Sequence, residues 1–189
     1  MTASGSSRPA PHTEVDKTTI GVAIDIPHPW GSELTAARLA AGDPVGAYVP
    51  AHVTLLGPTE IDAGDLPEID RHLTAVAARH PAFDVRLRGT GTFRPVTQVV
   101  FVAVAAGISE CERLHAAVLS SAAIRTEVRF PYHPHVTVAH DVPPERLDAV
   151  FAGLAGYEAS FAVAGFTLFE HDDGGRWRSY AEYRLATDH

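Results

Sequence analysis

A chain of 189 residues can bury one sizeable core or two closely packed lobes, and 46% hydrophobic with 20% charged residues is the balance of an ordinary globular protein. The formal charge is −8, with one Lys (Lys17) and fourteen Arg, which argues against a surface that grips long nucleic acid through its phosphates. The single cysteine, Cys111, allows no intrachain disulfide and falls in a helical pattern as a packing residue; no apolar run is long enough for a bilayer, and the start of the chain lacks a secretory signal, so a cytoplasmic protein is expected.

Residues 1–17, rich in Ser, Pro and Gly, read as a flexible tail, and 18–189 as the folded part. "TIGVAIDIP" (19–27) is a β-branched apolar strand ending at proline. A helix is predicted over 30–42, with Ser32 as N-cap and Gly42 as stop. "AHVTLLGP" reads as a strand ending in a Gly-Pro turn. Over 65–81, Leu66, Ile69, Leu73 and Val76 form one helical stripe, and "FDVRLRGTGTF" (83–93) alternates as a half-buried strand does. From Val96 the order begins again: strand "VTQVVFVAV", a helix over 109–122 with Ser109 as N-cap and Glu112 at capping-box spacing, strand "HPHVTVAH", a helix over 143–156, and strand "ASFAVAGFTLFE" (159–170). A last strand, 176–186, follows "DGGRW" (173–177), read as a hairpin turn.

Strand, helix, His-Val-Thr strand, helix, strand thus occurs twice, roughly over 18–95 and 96–189. Chance alone predicts about one His-x-Thr in a chain of this composition, so the tripeptide carries weight only by position. The third copy, His72-Leu73-Thr74, falls mid-helix, where residues two apart point away from each other, and is read as accident. His52/Thr54 and His135/Thr137 fall in strands, where residues i and i+2 share a face. Two imidazoles across a cleft can work on opposite sides of a phosphodiester, one taking a proton and the other giving one. The two threonine hydroxyls can donate to non-bridging oxygens as charge grows there.

"HVTL" (52–55) and "HVTV" (135–138), with "VAIDIP", "GTF", "VVFVAV" and the closing "WRSYAEYRL", resemble the two-histidine (2H) phosphoesterase superfamily, in its 2'-5' RNA ligase and cyclic phosphodiesterase branch. The resemblance implies an α+β fold of two pseudo-twofold-related lobes, each with an antiparallel sheet and helices, whose His-x-Thr strands face a central cleft. It also implies a metal-independent phosphodiesterase acting on 2',3'-cyclic phosphates or related 2'-linked bonds of nucleotides or RNA ends. His52 and His135 become the acid–base pair and Thr54 and Thr137 the phosphate-binding hydroxyls. Neither motif is followed by the basic residue common in the RNA-ligase members, and His140 stands where an Arg is common, which favours a small cyclic nucleotide over RNA-length substrates.

Phe93 and Tyr132 are candidate stacking surfaces for a nucleobase, ahead of Tyr48 and Phe130. Arg94 is a candidate phosphate contact, with a solvated loop arginine as the alternative, and His133 and His140 are placed in or on the rim of the cleft. Trp30 is read as packing. No metal or cofactor is expected, and the protein is read as a monomer. The rival readings are a nucleotide- or RNA-end-binding module without turnover, a ligase of 2'-5' RNA, and a metal-dependent hydrolase using His133, His135 and His140.

Overall fold

A computed structural model describes residues 16–127, 130–171 and 176–187 of the chain. The tail expected at the start therefore lies outside the described residues up to position 15, and Lys17 already belongs to the first strand, paired with Asp62. The turn expected at 173–177 falls mostly outside them as well.

Among the described residues, eight strands and four α-helices follow the chain as β1 (Lys17–Asp25), α1 (Trp30–Ala40), β2 (His52–Asp62), α2 (Leu66–Arg79), β3 (Phe83–Thr92), β4 (Val99–Ala106), α3 (Ile108–Leu119), β5 (His135–His140), α4 (Pro144–Gly153), β6 (Glu158–Val163), β7 (Gly165–His171) and β8 (Trp177–Arg184). They form two four-stranded sheets, ordered β2-β1-β7-β8 and β5-β4-β3-β6, with every neighbouring pair antiparallel. The fold is the expected α+β pair of lobes related by a pseudo-twofold, since β2-β1-β7-β8 maps onto β5-β4-β3-β6 strand for strand.

Neither sheet is contiguous in sequence. β3 leaves the first repeat to pair with β4 of the second, and β7 leaves the second to pair with β1 of the first. The segment 159–170, expected as one strand, is therefore two, divided at Ala164 and lying in different sheets. Gly165 marks the crossing: a Cβ there would stand 2.5 Å from the Tyr183 carbonyl oxygen, so a side chain is excluded where β7 meets β8. The first half of "FAVAGFTLF" is β6, the antiparallel neighbour of β3, with Phe83 standing opposite Val163.

Helices cross over in the same way. α1 follows β1 but packs on β5, with Trp30 stacked on Phe161 of β6 at 5.8 Å. α3 follows β4 but packs on β2 of the other sheet. α2 joins α3 there, burying the predicted stripe Leu66, Ile69, Leu73 and Val76, while α4 covers β3, β4 and β5. Each lobe is thus closed by elements from both repeats, and the apolar core runs through both.

The helix ends depart from expectation in detail. Pro29, not Ser32, precedes α1, and Ser32 lies inside it with its hydroxyl on His28 Nδ1 at 2.9 Å. Gly107, with φ of 87°, occupies the N-cap of α3 in place of Ser109; a left-handed residue is needed there and a Cβ would meet the Asp84 carbonyl at 2.7 Å. β2 does not stop at Gly57-Pro58 but runs through it, with Val22 opposite Leu56 and Ile20 opposite Thr59, so the two residues form a bulge facing Gly21. Proline is tolerated there because β2 is an edge strand and the bulge leaves the ladder unpaired. Among the described residues no helix is long and apolar enough to cross a membrane.

Candidate active site

β2 and β5 each lie at one edge of their sheet and pack against each other, which brings the two His-Val-Thr segments to one cleft. Alternation decides which side chains enter it. Val53 and Leu55 of β2, and Val136 and Val138 of β5, are buried in the core, while His52, Thr54, His135 and Thr137 remain partly exposed on the opposite face. On each neighbouring central strand the registers match: His52 opposite Asp25 and Thr54 opposite Ala23, His135 opposite Ala103 and Thr137 opposite Phe101.

The two histidines are held identically. His52 Nδ1 lies 2.8 Å from the Pro50 carbonyl oxygen, and His135 Nδ1 lies 2.7 Å from that of His133, two residues upstream in both cases. A carbonyl only accepts, so Nδ1 carries the hydrogen and each neutral ring presents the lone pair of Nε2. Burial is the main influence on both rings and depresses their pKa below the usual imidazole value, opposed by those carbonyl bonds, which favour the charged form. Next in weight come the Arg38 charge and, in the opposite sense, Asp25 at His52, and His133 and His52 at His135.

A cavity of about 580 Å³ opens from this point on the α3 side of β2, bounded by Thr54 to Gly57, by Phe93, Val96 and Thr97, by His115 and Leu119, and by Thr126, Glu127 and the segment Phe130 to His133 with His135. The wall is mainly apolar. Thr54 and His135 border it, whereas His52 and Thr137 lie to one side.

The remaining predicted site residues separate into two groups. Phe93, Tyr132 and His133 line the cavity. The Phe93 ring stands edge-on to His135 at 4.9 Å and against Phe101 at 4.5 Å. His133, expected inside the strand "HPHVTVAH", instead precedes β5; its ring centre is 6.1 Å from that of His135. Arg94 and His140 are elsewhere. The Arg94 guanidinium is bonded to Asp148 of α4 at 2.8 Å and to Thr92, and His140 ends β5 beside Asp141 at 3.3 Å. Tyr48 and Phe130 are well exposed, Phe130 at the cavity mouth.

Sequence reasoning missed His115 and Phe101. His115 donates from Nδ1 to the Leu55 carbonyl of β2 at 2.7 Å and stacks on Tyr132, ring centres 4.0 Å apart. Tyr132 in turn donates its hydroxyl to the Thr54 carbonyl at 2.9 Å, and burial pushes that phenol upward in pKa. The two rings of the second repeat therefore each bond a backbone carbonyl of the first repeat's motif strand. A signal existed: His115 lies four residues after Cys111 and one after Leu114, on the buried stripe of α3 where a polar ring needs a partner. The other sequence readings fall as packing suggests. His72 bonds the Ala117 carbonyl from α2, and Cys111 is fully buried, its thiol pushed up to about 12 by burial.

A phosphoesterase candidate of Geobacillus kaustophilus is 26% identical over 139 residues, 72% of this chain and 79% of that one. A similarly named protein of Oceanobacillus iheyensis is 26% identical over 148 residues, 77% and 86% of the two chains. Among solved structures, LigT of E. coli in its apo form superposes with a TM-score of 0.63 at 24% identity, covering 90% of this chain and 99% of LigT. TT0787 of Thermus thermophilus gives 0.62 at 24% identity, covering 90% of this chain and all of that one. These two share the fold. The sequence model of the 2'-5' RNA ligase superfamily matches residues 26–175, which takes in both motif strands and the cavity between them, and the chain belongs to that superfamily.

Proposed function

We propose that the protein is a metal-independent phosphodiesterase that hydrolyses a 2',3'-cyclic phosphate, or a related 2'-linked phosphodiester, of a nucleotide or RNA end. The observation that carries the reading is the pair of His-Val-Thr segments in matching registers, each with Nδ1 tied to a carbonyl and Nε2 left to handle protons. A phosphate set between β2 and β5 meets one imidazole on each side. One Nε2 takes a proton from water as the water oxygen bonds to phosphorus; the phosphorus–ribose oxygen bond breaks, and that oxygen takes a proton from the other Nε2. Thr54 and Thr137 donate to the non-bridging oxygens, whose charge grows during the step.

The apolar cavity wall gives a nucleoside a place to lie, with Phe93 and Tyr132 as stacking surfaces. Its scale suits a mononucleotide or terminal nucleotide, the substrate of a monomer working without cofactor. Support from the fold comes from LigT, whose solved complexes include 3'-AMP and phosphate.

The test is turnover of a panel of 2',3'-cyclic nucleotides to phosphomonoester, with and without EDTA, beside the His52→Ala and His135→Ala variants. Turnover that survives the chelator and is lost in both variants is the expected result. Turnover abolished by EDTA, or retained in either variant, would refute the two-histidine mechanism. Binding of the cyclic nucleotides without any turnover would favour the non-catalytic module instead.

A further inference from the structure

Both motif strands break their ladders at the same place. Ala23 stands opposite Thr54 and Val22 opposite Leu56, so Leu55 is an extra residue on β2. Phe101 stands opposite Thr137 and Val100 opposite Ala139, so Val138 is the matching extra residue on β5. Burial follows the bulge: Leu55 and Leu56, like Val138 and Ala139, are consecutive buried residues where a regular strand would alternate. A bulge directly after the threonine re-aims the side chains around it and leaves backbone groups outside the ladder. What holds the bulge therefore fixes where the threonine hydroxyl points.

In the first lobe two rings of the second repeat grip that bulge. The Tyr132 hydroxyl donates to the Thr54 carbonyl at 2.9 Å and His115 Nδ1 to the Leu55 carbonyl at 2.7 Å, and the two rings stack 4.0 Å apart and 8° from parallel. Tyr132 lies three residues before His135, so its bond joins the two motif segments to each other across the cleft. The equivalent residues cannot do the same for β5. α1, which covers β5, buries Gly31, Leu34 and Arg38 at the spacing of Cys111, Leu114 and Val118 on α3, which puts Thr35 in the place of His115. The Thr35 hydroxyl gives its one proton to the Gly31 carbonyl and accepts from the Ala51 N–H. Val49, three residues before His52, has no side-chain donor.

We propose that Tyr132 and His115 are positioning residues, whose two hydrogen bonds pin the β2 bulge against the His135 side of the cleft and so set where the Thr54 hydroxyl meets the phosphate. This rests on the two-histidine reading above. The Tyr132 ring stays a surface for the nucleoside, and its hydroxyl has this second task. A donor aimed at a growing negative charge works only at the right distance, and a displacement of about 1 Å can cost up to roughly a hundredfold.

Two measurements test it: kcat and KM on 2',3'-cyclic AMP, and backbone amide exchange of the free protein followed by NMR. Tyr132→Phe and His115→Phe keep the rings and lose the donors, and His115→Asn brings an amide that can donate in place of Nδ1. Tyr132→Phe is also made in a Thr54→Ala background. Tyr132→Phe and His115→Phe each lower kcat roughly fivefold, the scale of one neutral hydrogen bond, with KM nearly unchanged. His115→Asn recovers most of the loss. Once Thr54 is alanine, Tyr132→Phe costs almost nothing more, because the hydroxyl it positions is gone. In the free protein the amides of Leu55, Leu56 and Gly57 exchange faster in both donor-less variants, while those of the fully buried Val100 and Val102 on β4 stay protected. A fivefold loss that persists without the Thr54 hydroxyl, an effect on KM alone, or an unchanged kcat would overturn the assignment. Exchange that quickens equally in β4 would overturn it too, since the loss would then be one of overall stability. Absence of turnover in the wild type would sink the hydrolytic reading, while amide exchange still decides whether the two rings hold the bulge.

Discussion

On one side of the cleft His52 and Thr54 stand beside Asp25 and Thr167, a carboxylate held by a hydroxyl; on the other, His135 and Thr137 stand beside Ala103, Phe101 and Gly91, an apolar floor capped by Phe93. The strands, their register and the carbonyl bonds on Nδ1 are the same on both sides. A repeated backbone therefore supplies two equivalent proton carriers, and the residues one strand away make them unlike. Gly91 is part of that difference: a Cβ there would lie 2.5 Å from the Phe101 ring, so glycine leaves the space that the ring occupies next to His135. The cavity adds to it, since it opens beside His135 and Thr54 and not beside His52.

The largest effect should come from removing what the two sides share. His52→Ala and His135→Ala should each lower kcat by about 10²–10⁴, the contribution of a positioned acid or base, measured on a cyclic nucleotide at saturation. Unequal losses would show how far the asymmetry reaches into chemistry. Thr54→Ala and Thr137→Ala should cost about a hundredfold, the lower end of what loss of one donor to a growing negative charge costs, with little change in the pH profile. His72→Ala, at the third His-x-Thr, should leave turnover unchanged; a loss as large as at His52 would break the separation between helical and strand copies.

Smaller effects probe the surroundings. Gly91→Ala forces a methyl group into the Phe101 ring and should destabilise the fold by about 1–3 kcal/mol, read from urea midpoints. Gly21→Ala, whose Cβ would sit 3.4 Å from its nearest neighbours, should be milder. Tyr132→Phe leaves the Thr54 carbonyl without its donor and should cost about 1 kcal/mol, with a few-fold loss of kcat if Thr54 shifts. The pH dependence of stability follows from the depressed histidines. Because burial lowers their pKa in the native state, the unfolded chain takes up protons first as pH falls. Their contribution is complete above about pH 6.5 and is lost as pH drops through the native values. Thermal unfolding followed from about pH 7.5 to 5, across the ordinary imidazole range, should show that decline, and the double variant His52→Ala/His135→Ala should flatten it.

Much of this was legible in the sequence because it is local. Alternation placed His52 and Thr54, and His135 and Thr137, on one face each, and the 3.6-residue stripe of α2 named its buried side. The recurrence of the elements announced the pseudo-twofold. Helix caps were less secure, since Ser32 and Ser109 fit a capping pattern while Pro29 and Gly107 hold the N-cap positions. Arg94 was a candidate phosphate contact from its place after "GTF"; its ion pair with Asp148 of α4, 54 residues away, could not be read from the sequence.

What the sequence by itself determined is most of the elements and the two motif strands, because side-chain periodicity and turn residues act over a few positions. Only the tertiary structure decided that β3 and β7 exchange sheets, that α1 and α3 cover the opposite lobes, and that His115, Tyr132 and Asp25 meet the motif strands. Those outcomes depend on which strand edges pair and which apolar faces find each other. Such pairings join residues as distant as Asp25 and Thr167, 142 positions apart, and no local pattern along the chain specifies them.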